Sequence, residues 1–243
     1  GLIISINSPG GSVSASFNLY NLFKEFKNKN KIVLIFHTNE LMTSGAYWTA
    51  LSGNKIFANY GSLIGSIGVK GPDWIYFDEP IVISNGLLGN SVVTKKGIKK
   101  FNNIAGNSKD IFDPFRPPTK KERIDLQNAV QNIYNDFVNE VSSSRKIEKD
   151  IILNDIGAMI YDTKSAKEKF LIDGTATQEK VIKIMAEYLN FDNFQVIEKE
   201  NFKSSFIEKI IGTNFLSNNF FNDSKSLQSY LICKITKFQL SSI

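Results

Sequence analysis

The sequence predicts an α/β fold with a mainly parallel sheet, because strand-sized apolar runs alternate with helical patterns. Between the first two runs, apolar side chains recur at helical spacing from Phe17 to Phe26, behind Ser12 or Ser14 as a helix cap. A strand–helix–strand order favours parallel pairing, since the chain must cross over before the next strand begins. The predicted strands, rich in β-branched and aromatic residues, are Leu2–Ile6, residues 32–36 and Lys55–Ala58.

Beyond these strands, the clearest predicted element is a long helix. Thr119 and Glu122 have the spacing of a capping box, and the apolar stripe from Ile124 to Val141 predicts a long helix behind it. Residues 71–100, which contain prolines, glycines and paired lysines, are expected to hold strands plus an insertion. Further elements are predicted at residues 43–50, 66–69, 151–160, 165–171 and 180–189.

The predicted organisation is one domain over residues 1–189 followed by a tail over residues 190–243. The tail is dominated by Asn, Ser, Lys and Phe, and we expect it to be peripheral or partly disordered. The chain enters a strand-like run directly after Gly1 and has no initiator Met there. We therefore expect a preceding strand, and any N-terminal anchor, to lie upstream of this sequence.

Composition excludes several classes of site. The net charge of +5 comes from scattered lysines, which indicates a solvated surface rather than a nucleic-acid or membrane patch. A single cysteine, Cys233, and a single histidine, His37, cannot form an internal disulfide or a Cys/His zinc site. No apolar run reaches the ~18–20 residues of a membrane-spanning helix. We expect no metal, no cofactor and no nucleic-acid partner.

Two segments near the N-terminus have the residue types of a catalytic site. Gly10 and Gly11 follow the first strand, and paired glycines let backbone N–H groups approach a ligand or a developing oxyanion. The pattern lacks the lysine and the glycine spacing of a phosphate loop. Ser44 precedes Gly45 at a helix start, where it is either an ordinary helix cap or an exposed nucleophile.

A third segment completes a resemblance to a known family. In it Lys109, which alone would be an ordinary surface lysine, follows Gly106 and precedes Asp110, with Pro114-Phe115 downstream. Together with the two earlier segments, in this order, it resembles the signal peptide peptidase A (protease IV-like) peptidases. The motifs that carry the resemblance are Asn7-Ser-Pro-Gly-Gly11, Ser44-Gly-Ala-Tyr47, Ile64-Gly-Ser-Ile-Gly-Val69, Gly106-Asn-Ser-Lys109-Asp110 and Leu171-Ile-Asp-Gly174.

The resemblance implies a Clp/crotonase-like fold of stacked ββα units and a role for each matching residue. Ser44 would be the nucleophile and Lys109 its general base, while the N–H groups of Gly11 and Gly45, beside Gly10, would hold the oxyanion. Ser66 would hydrogen-bond and position the lysine amine, although Ile64 stands where the family usually has Thr. A lysine base must be uncharged, whereas an ordinary lysine titrates near pH ~10.4, so the hypothesis requires a desolvated amine.

The resemblance also implies partners and a location. Substrates would be cleaved signal peptides or other unfolded hydrophobic segments. An extended peptide could add as a further strand beside the first strand and the glycine loop, Asn7–Gly11. We expect a homo-oligomer. We also expect association with a membrane through a segment outside this sequence, with the active site on the extracytoplasmic side.

Several alternatives stay open at this stage. The spacing between Ser44 and Lys109 is long, which leaves four lysines within the expected insertion as rival bases: Lys95, Lys96, Lys99 and Lys100. In a Clp-type triad the histidine follows the serine in sequence. The single histidine here, His37, precedes Ser44, which argues against such a triad. The chain could also be a catalytically degenerate scaffold or binding module, or a crotonase-like acyl-CoA enzyme, although the latter would need glutamates at the site.

Overall fold

The computed structural model describes residues 1–76, 82–83, 92–93, 103–197 and 233–236. It divides the chain into two compact units. The first comprises Gly1–Gly68 with Tyr134–Ile243, and the second comprises Val69–Ile133. The boundary expected at residue 189 stays a prediction.

A five-stranded sheet forms the centre of the first unit. Its strands are β1 (Leu2–Ile6), β2 (Leu34–Thr38), β4 (Lys55–Ala58), β9 (Gly174–Thr175) and β10 (Cys233–Thr236). Their order in the sheet is β10-β1-β2-β4-β9, and every pairing is parallel except that between β10 and β1. The predicted α/β class with a mainly parallel sheet is therefore confirmed.

Both edges of β1 are occupied in this sheet. Its parallel neighbour is β2, and β10 pairs antiparallel along the other edge with Ile3 opposite Thr236. The expectation that a peptide adds beside β1 is therefore wrong for this state of the chain, because the backbone groups of that edge already have partners.

Helices cover the sheet and close its core. Ser12 caps α1 by accepting from the N–H of Ala15. Ile32 still donates to the carbonyl of Lys27 at the end of α1, which is why β2 begins two residues later than predicted. On the sheet, Val181 and Met185 of one helix pack against Ile3 and Ile35. The helices of this unit are α1 (Val13–Asn30), α2 (Gly45–Ala50), α4 (Lys149–Ile151), α5 (Thr163–Glu168) and α6 (Gln178–Tyr188).

A second, three-stranded sheet lies in the same unit and was not predicted. Its strands β3 (Leu41–Thr43) and β5 (Leu63–Gly65) pair in parallel, and β8 (Ile160–Asp162) pairs antiparallel with β5. Thr43 therefore ends a strand instead of beginning a helix. The prediction of an element at residues 66–69 is wrong: those residues form no regular secondary structure, and β5 ends before them at Gly65.

The remaining helix, α3 (Lys120–Arg145), begins in the second unit and continues into the first. The predicted capping box is confirmed: the N–H of Thr119 donates to Glu122 Oε2 over 2.8 Å, and the N–H of Glu122 donates to Thr119 Oγ1 over 3.2 Å. After α4, residues Ile152–Ile156 form one π-helical turn in place of the single element expected there.

Within residues 71–100, two short strands, β6 (Val82–Ile83) and β7 (Val92–Val93), pair antiparallel. Most of the expected insertion lies outside the described residues. Of the helices that the structure describes, none combines the length and the apolar character needed to cross a membrane.

Candidate active site

Ser44 lies at the junction between β3 and α2, in a backbone conformation that side chains rarely adopt. Its φ is 53° and its ψ is −125°. Such strained conformations persist where neighbouring structure enforces them, and they concentrate at functional sites. Here the N–H of Ser44 donates to the carbonyl of Gly65 over 2.8 Å. The Ser44 side chain makes no capping hydrogen bond to α2, which separates it from an ordinary helix-cap serine.

The glycine loop is pressed against this junction. Gly10 has a φ of 103°, and a Cβ built there would lie 2.7 Å from the nitrogen of Gly45 and 2.9 Å from Ser44 Cβ. A Cβ built at Gly45 would lie 3.3 Å from the nitrogen of Gly11 and would collide with Ser16 Oγ. A side chain at Gly10 would therefore collide with the backbone of Gly45, and one at Gly45 would collide with the side chain of Ser16.

Backbone pairing fixes the loop beside Ser44. The N–H of Ser8 donates to the carbonyl of Leu41 over 2.7 Å, and the N–H of Thr43 donates to the carbonyl of Ser8 over 3.2 Å. Thr43 Oγ1 adds a hydrogen bond to the carbonyl of Pro9 over 3.1 Å. These contacts extend the β3 ladder into the glycine loop. They hold the glycine loop close to Gly45 and to the half-buried Ser44.

Ser66 lies next to Ser44 in the register of the small sheet. Gly65 pairs with Thr43, so the two serines are the residues that follow neighbouring parallel strands. Ser66 also has a φ of 53°, and its N–H donates to the carbonyl of Met159 over 2.7 Å. Ile64, in the position of the family's threonine, is fully buried, so its side chain fills the core instead of contributing a hydroxyl.

Lys109 belongs to the second unit and is exposed in this chain. It lies in consecutive turns in which its N–H donates to the carbonyl of Gly106 and Ile111 donates to Ser108. The predicted contact between Ser44 and Lys109, which lie in different units, stays a prediction. The four rival lysines lie outside the described residues.

Sequence reasoning missed the ion-pair network beside Lys109. Arg116 donates to both carboxylate oxygens of Asp110 over 2.8 Å and to both of Glu122 over 2.7 and 2.9 Å. These bonds hold the pKa values of Asp110 and Glu122 below their ordinary range. The available signal was the capping-box glutamate, but its pairing depends on a turn that the sequence alone does not specify.

His37 has a structural role. It is fully buried in β2, and its Nε2 donates to the carbonyl of Ala176 over 3.0 Å. Burial lowers the pKa of this imidazole. The reading of His37 as an ordinary hydrogen-bonded strand histidine, rather than as the base of a triad, agrees with this geometry.

Behind Ser44, α2 is anchored by contacts to the segment before β9. Tyr47 is fully buried, donates to the carbonyl of Leu171 over 2.7 Å, and has its pKa raised by that burial. Trp48 stacks on Phe137 with ring centroids 4.4 Å apart.

Within the described ranges no group of three or more His, Cys, Asp or Glu side chains could hold a metal ion.

The fold and this junction define an α/β protein with a serine at a strand end, beside a loop of paired glycines. The sequence profile of peptidase family S49 matches residues 25–192, which include Ser44 and Lys109. The chain therefore belongs to peptidase family S49.

Two curated relatives carry names of the same kind. A Methanocaldococcus jannaschii protein named as a protease is 33% identical over 198 residues, covering 82% of this chain and 59% of that protein. An Enterococcus faecium protein named as signal peptide peptidase SppA is 26% identical over 214 residues, covering 87% of this chain and 58% of that protein. The chain thus spans less than two thirds of either relative.

A solved structure, a ClpP1 mutant from Listeria monocytogenes, is similar with a TM-score of 0.45 and 12% identity. The similarity covers 73% of this chain and 74% of that one.

Proposed function

We propose that this chain is a serine peptidase that cleaves signal peptides already released from their proteins, or other unfolded hydrophobic peptides, through an acyl-enzyme. Membership of peptidase family S49 supports the peptidase reaction. The name of the Enterococcus relative supports the substrate class.

The observation that carries the proposal is Ser44 in a rarely adopted backbone conformation at a strand–helix junction, with the glycine loop packed against it. The side-chain oxygen of an ordinary helix-cap serine accepts a hydrogen bond from a backbone N–H of the first helical turn, whereas the Ser44 side chain makes no such bond to α2. A Cβ at Gly10 or at Gly45 would collide with a neighbouring backbone or side-chain atom. The absence of side chains at these two positions is what lets the glycine loop lie close to the Ser44 junction. A nucleophile beside preorganised donors is the arrangement that acyl transfer requires.

In the proposed reaction, Lys109 is the base. Its uncharged amine takes the proton of the Ser44 hydroxyl as the oxygen attacks the peptide carbonyl, and the N–H groups of Gly11 and Gly45 hold the resulting oxyanion. The ammonium then protonates the leaving nitrogen as the C–N bond breaks. Water, deprotonated by the same amine, attacks the ester, and the Ser44 oxygen leaves and regains its proton.

The reaction requires an uncharged amine, and a solvated ammonium cannot accept a proton. Lys109 is exposed in the single chain. The proposal therefore includes a homo-oligomer in which another copy covers this lysine and removes it from water.

The proposal is tested with purified Ser44→Ala and Lys109→Ala variants. Each should lose hydrolysis of a hydrophobic peptide by at least about 10³-fold. Ser44→Ala should also lose labelling by a fluorophosphonate, read by mass spectrometry of the Ser44 peptide. Ser14→Ala, an exposed serine on α1, is the matched control and should keep wild-type activity.

Three outcomes would contradict the assignment. Full peptide hydrolysis by the Ser44→Ala variant would show that Ser44 is not the nucleophile. If Lys96→Ala were inactive while Lys109→Ala stayed active, the general base would be Lys96, within the expected insertion, and not Lys109. Turnover of an acyl-CoA ester, without peptide hydrolysis, would favour the crotonase-like alternative.

A further inference from the structure

We propose that Arg116 is a positioning residue for the general base, holding the segment that carries Lys109 against the first turn of α3. The inference rests on the proposed function, because it assigns a role relative to Lys109 as base. It goes beyond that function by naming which side chain fixes where the amine is presented.

The segment around Lys109 has little regular structure of its own. Positive φ values recur at Gly106 (100°), Ser108 (59°) and Phe112 (72°), and the backbone is held by short-range turn bonds. A base on such a segment needs a tether, because a misplacement of about 1 Å can cost about 10²-fold in rate.

Arg116 supplies the tether through a planar fork. Its Nε and Nη2 donate to the two oxygens of Asp110, each over 2.8 Å, so the residue next to Lys109 is gripped in a fixed orientation. A bidentate guanidinium–carboxylate pair fixes direction as well as distance, which a lysine ammonium cannot do.

The other side of the guanidinium is anchored to α3. Its Nη1 and Nη2 donate to Glu122 over 2.9 and 2.7 Å, and the Glu122 side chain is only 5% exposed. Glu122 also accepts the N–H of Thr119 in the capping box. Arg116 is therefore anchored to a helix end that is itself stabilised by a reciprocal capping box.

The residues on both sides of Lys109 reach the same anchor. Asp110 is bound through Arg116, and the Ser108 side chain hydrogen-bonds to Glu122 directly. Trp74 adds a second contact, with the guanidinium carbon 5.8 Å from its ring centre. The lysine is thus bracketed, which limits the positions that its stem can occupy. The side chains of Arg116, Asp110 and Glu122 are 27%, 21% and 5% exposed, so this network is less screened by water and more firmly oriented than an exposed ion pair.

The test compares Arg116→Lys with Lys121→Gln, a variant that breaks an exposed ion pair with Asp125 on the same helix. Arg116→Lys keeps the charge but loses the fork. We expect its kcat for a hydrophobic peptide to fall about 10–100-fold, with KM within about twofold and the protein still fully folded at the assay temperature. Backbone amides of Lys109, Ile111 and Asp113 should exchange with deuterium faster than in wild type. Lys121→Gln should match wild type in every measurement.

The outcomes separate the two proposals. Wild-type kcat in Arg116→Lys, or unchanged amide exchange in the Lys109 segment, would overturn the positioning role while leaving the dyad intact. A fall in kcat that only follows a loss of folded protein would overturn it as well. Wild-type activity in Lys109→Ala would instead overturn the proposed base, and the positioning role with it.

Discussion

Gly10 occupies a backbone conformation and a space that a side chain cannot share. Gly10→Ala should therefore combine the cost of a positive φ, about 1–2 kcal/mol, with a collision against the backbone of Thr43 and Gly45, adding about 1–3 kcal/mol. The fluorophosphonate reaction at Ser44 should be lost as well, because the collision moves the backbone N–H groups that we propose as oxyanion donors. Urea unfolding and labelling kinetics measure the two effects.

Gly61 provides the matched control for this substitution. It also has a positive φ, 85°, but a Cβ built there meets no atom within 4 Å. Gly61→Ala should cost only the backbone contribution of about 1–2 kcal/mol and leave labelling of Ser44 unchanged. Equal losses of stability in the two variants would show that close approach at Gly10 does not matter.

The residues around Ser44 could be predicted from the sequence because they lie in short local motifs. Residue types alone left Ser44 open as a helix cap or a nucleophile, and only the family resemblance favoured the nucleophile; the close approach of Gly10 to Gly45 is what the structure adds. The φ of 53° at Ser44 could not be predicted, because it is imposed by pairing with Gly65, a residue distant in sequence. The fork of Arg116 was missed for the same reason, since it depends on how residues 110–116 turn.

At the scale of elements, prediction succeeded where both ends of an element carried signals. The β4 strand and the capping box of α3 were found because β-branched residues or cap residues mark them. The β3 strand was missed because three residues, Leu41–Thr43, are too few to show a period. It exists because its neighbours, β5 and the glycine loop, supply the hydrogen bonds.

Asp173 joins the end of α3, the start of β4 and the segment before β9. It accepts from Arg145 over 2.9 Å, from Lys55 over 3.0 Å and from the N–H of Ile56 over 2.8 Å. Burial alone would raise the pKa of Asp173, but the charge of Arg145 and these hydrogen bonds lower it below its ordinary value.

The lowered pKa predicts how the stability of an Asp173→Asn variant depends on pH. A carboxylate with a lowered folded pKa stabilises the protein above its unfolded value, near ~3.9, and this stabilisation is lost as pH falls through the folded pKa. Asp173→Asn should therefore lose about 2 kcal/mol at pH 7, below the ~3–5 kcal/mol of a fully buried pair. The difference from wild type should shrink as the pH falls below ~4.

Urea unfolding across this pH range measures the effect, with Asp125→Asn as control. Asp125 pairs with Lys121 on the exposed face of α3, so its substitution should change the free energy of unfolding by less than about 0.5 kcal/mol. A constant gap between Asp173→Asn and wild type from neutral to acidic pH would show that the charge of Asp173 is not what stabilises the junction.

At the scale of the whole molecule, the fold class could be predicted but the division into units could not. Alternation of strand-sized and helical patterns is enough to indicate an α/β sheet with parallel pairing. The second unit, Val69–Ile133, begins just before the glycines and prolines of the expected insertion, but its other end lies inside α3, which runs across the boundary. A continuous helix gives the sequence no linker by which the boundary could be recognised.

The exposure of Lys109 predicts that activity depends on assembly. A lysine in water stays charged at neutral pH, so the proposed base works only where another surface excludes solvent. We expect kcat/KM per chain to fall at least about tenfold when the enzyme is diluted until sedimentation shows monomers. Adding excess Ser44→Ala chains should restore activity, because they supply the covering surface without a nucleophile, whereas an equal mass of serum albumin should not. Full activity in a solution that sediments as monomer would show that one chain desolvates its own base.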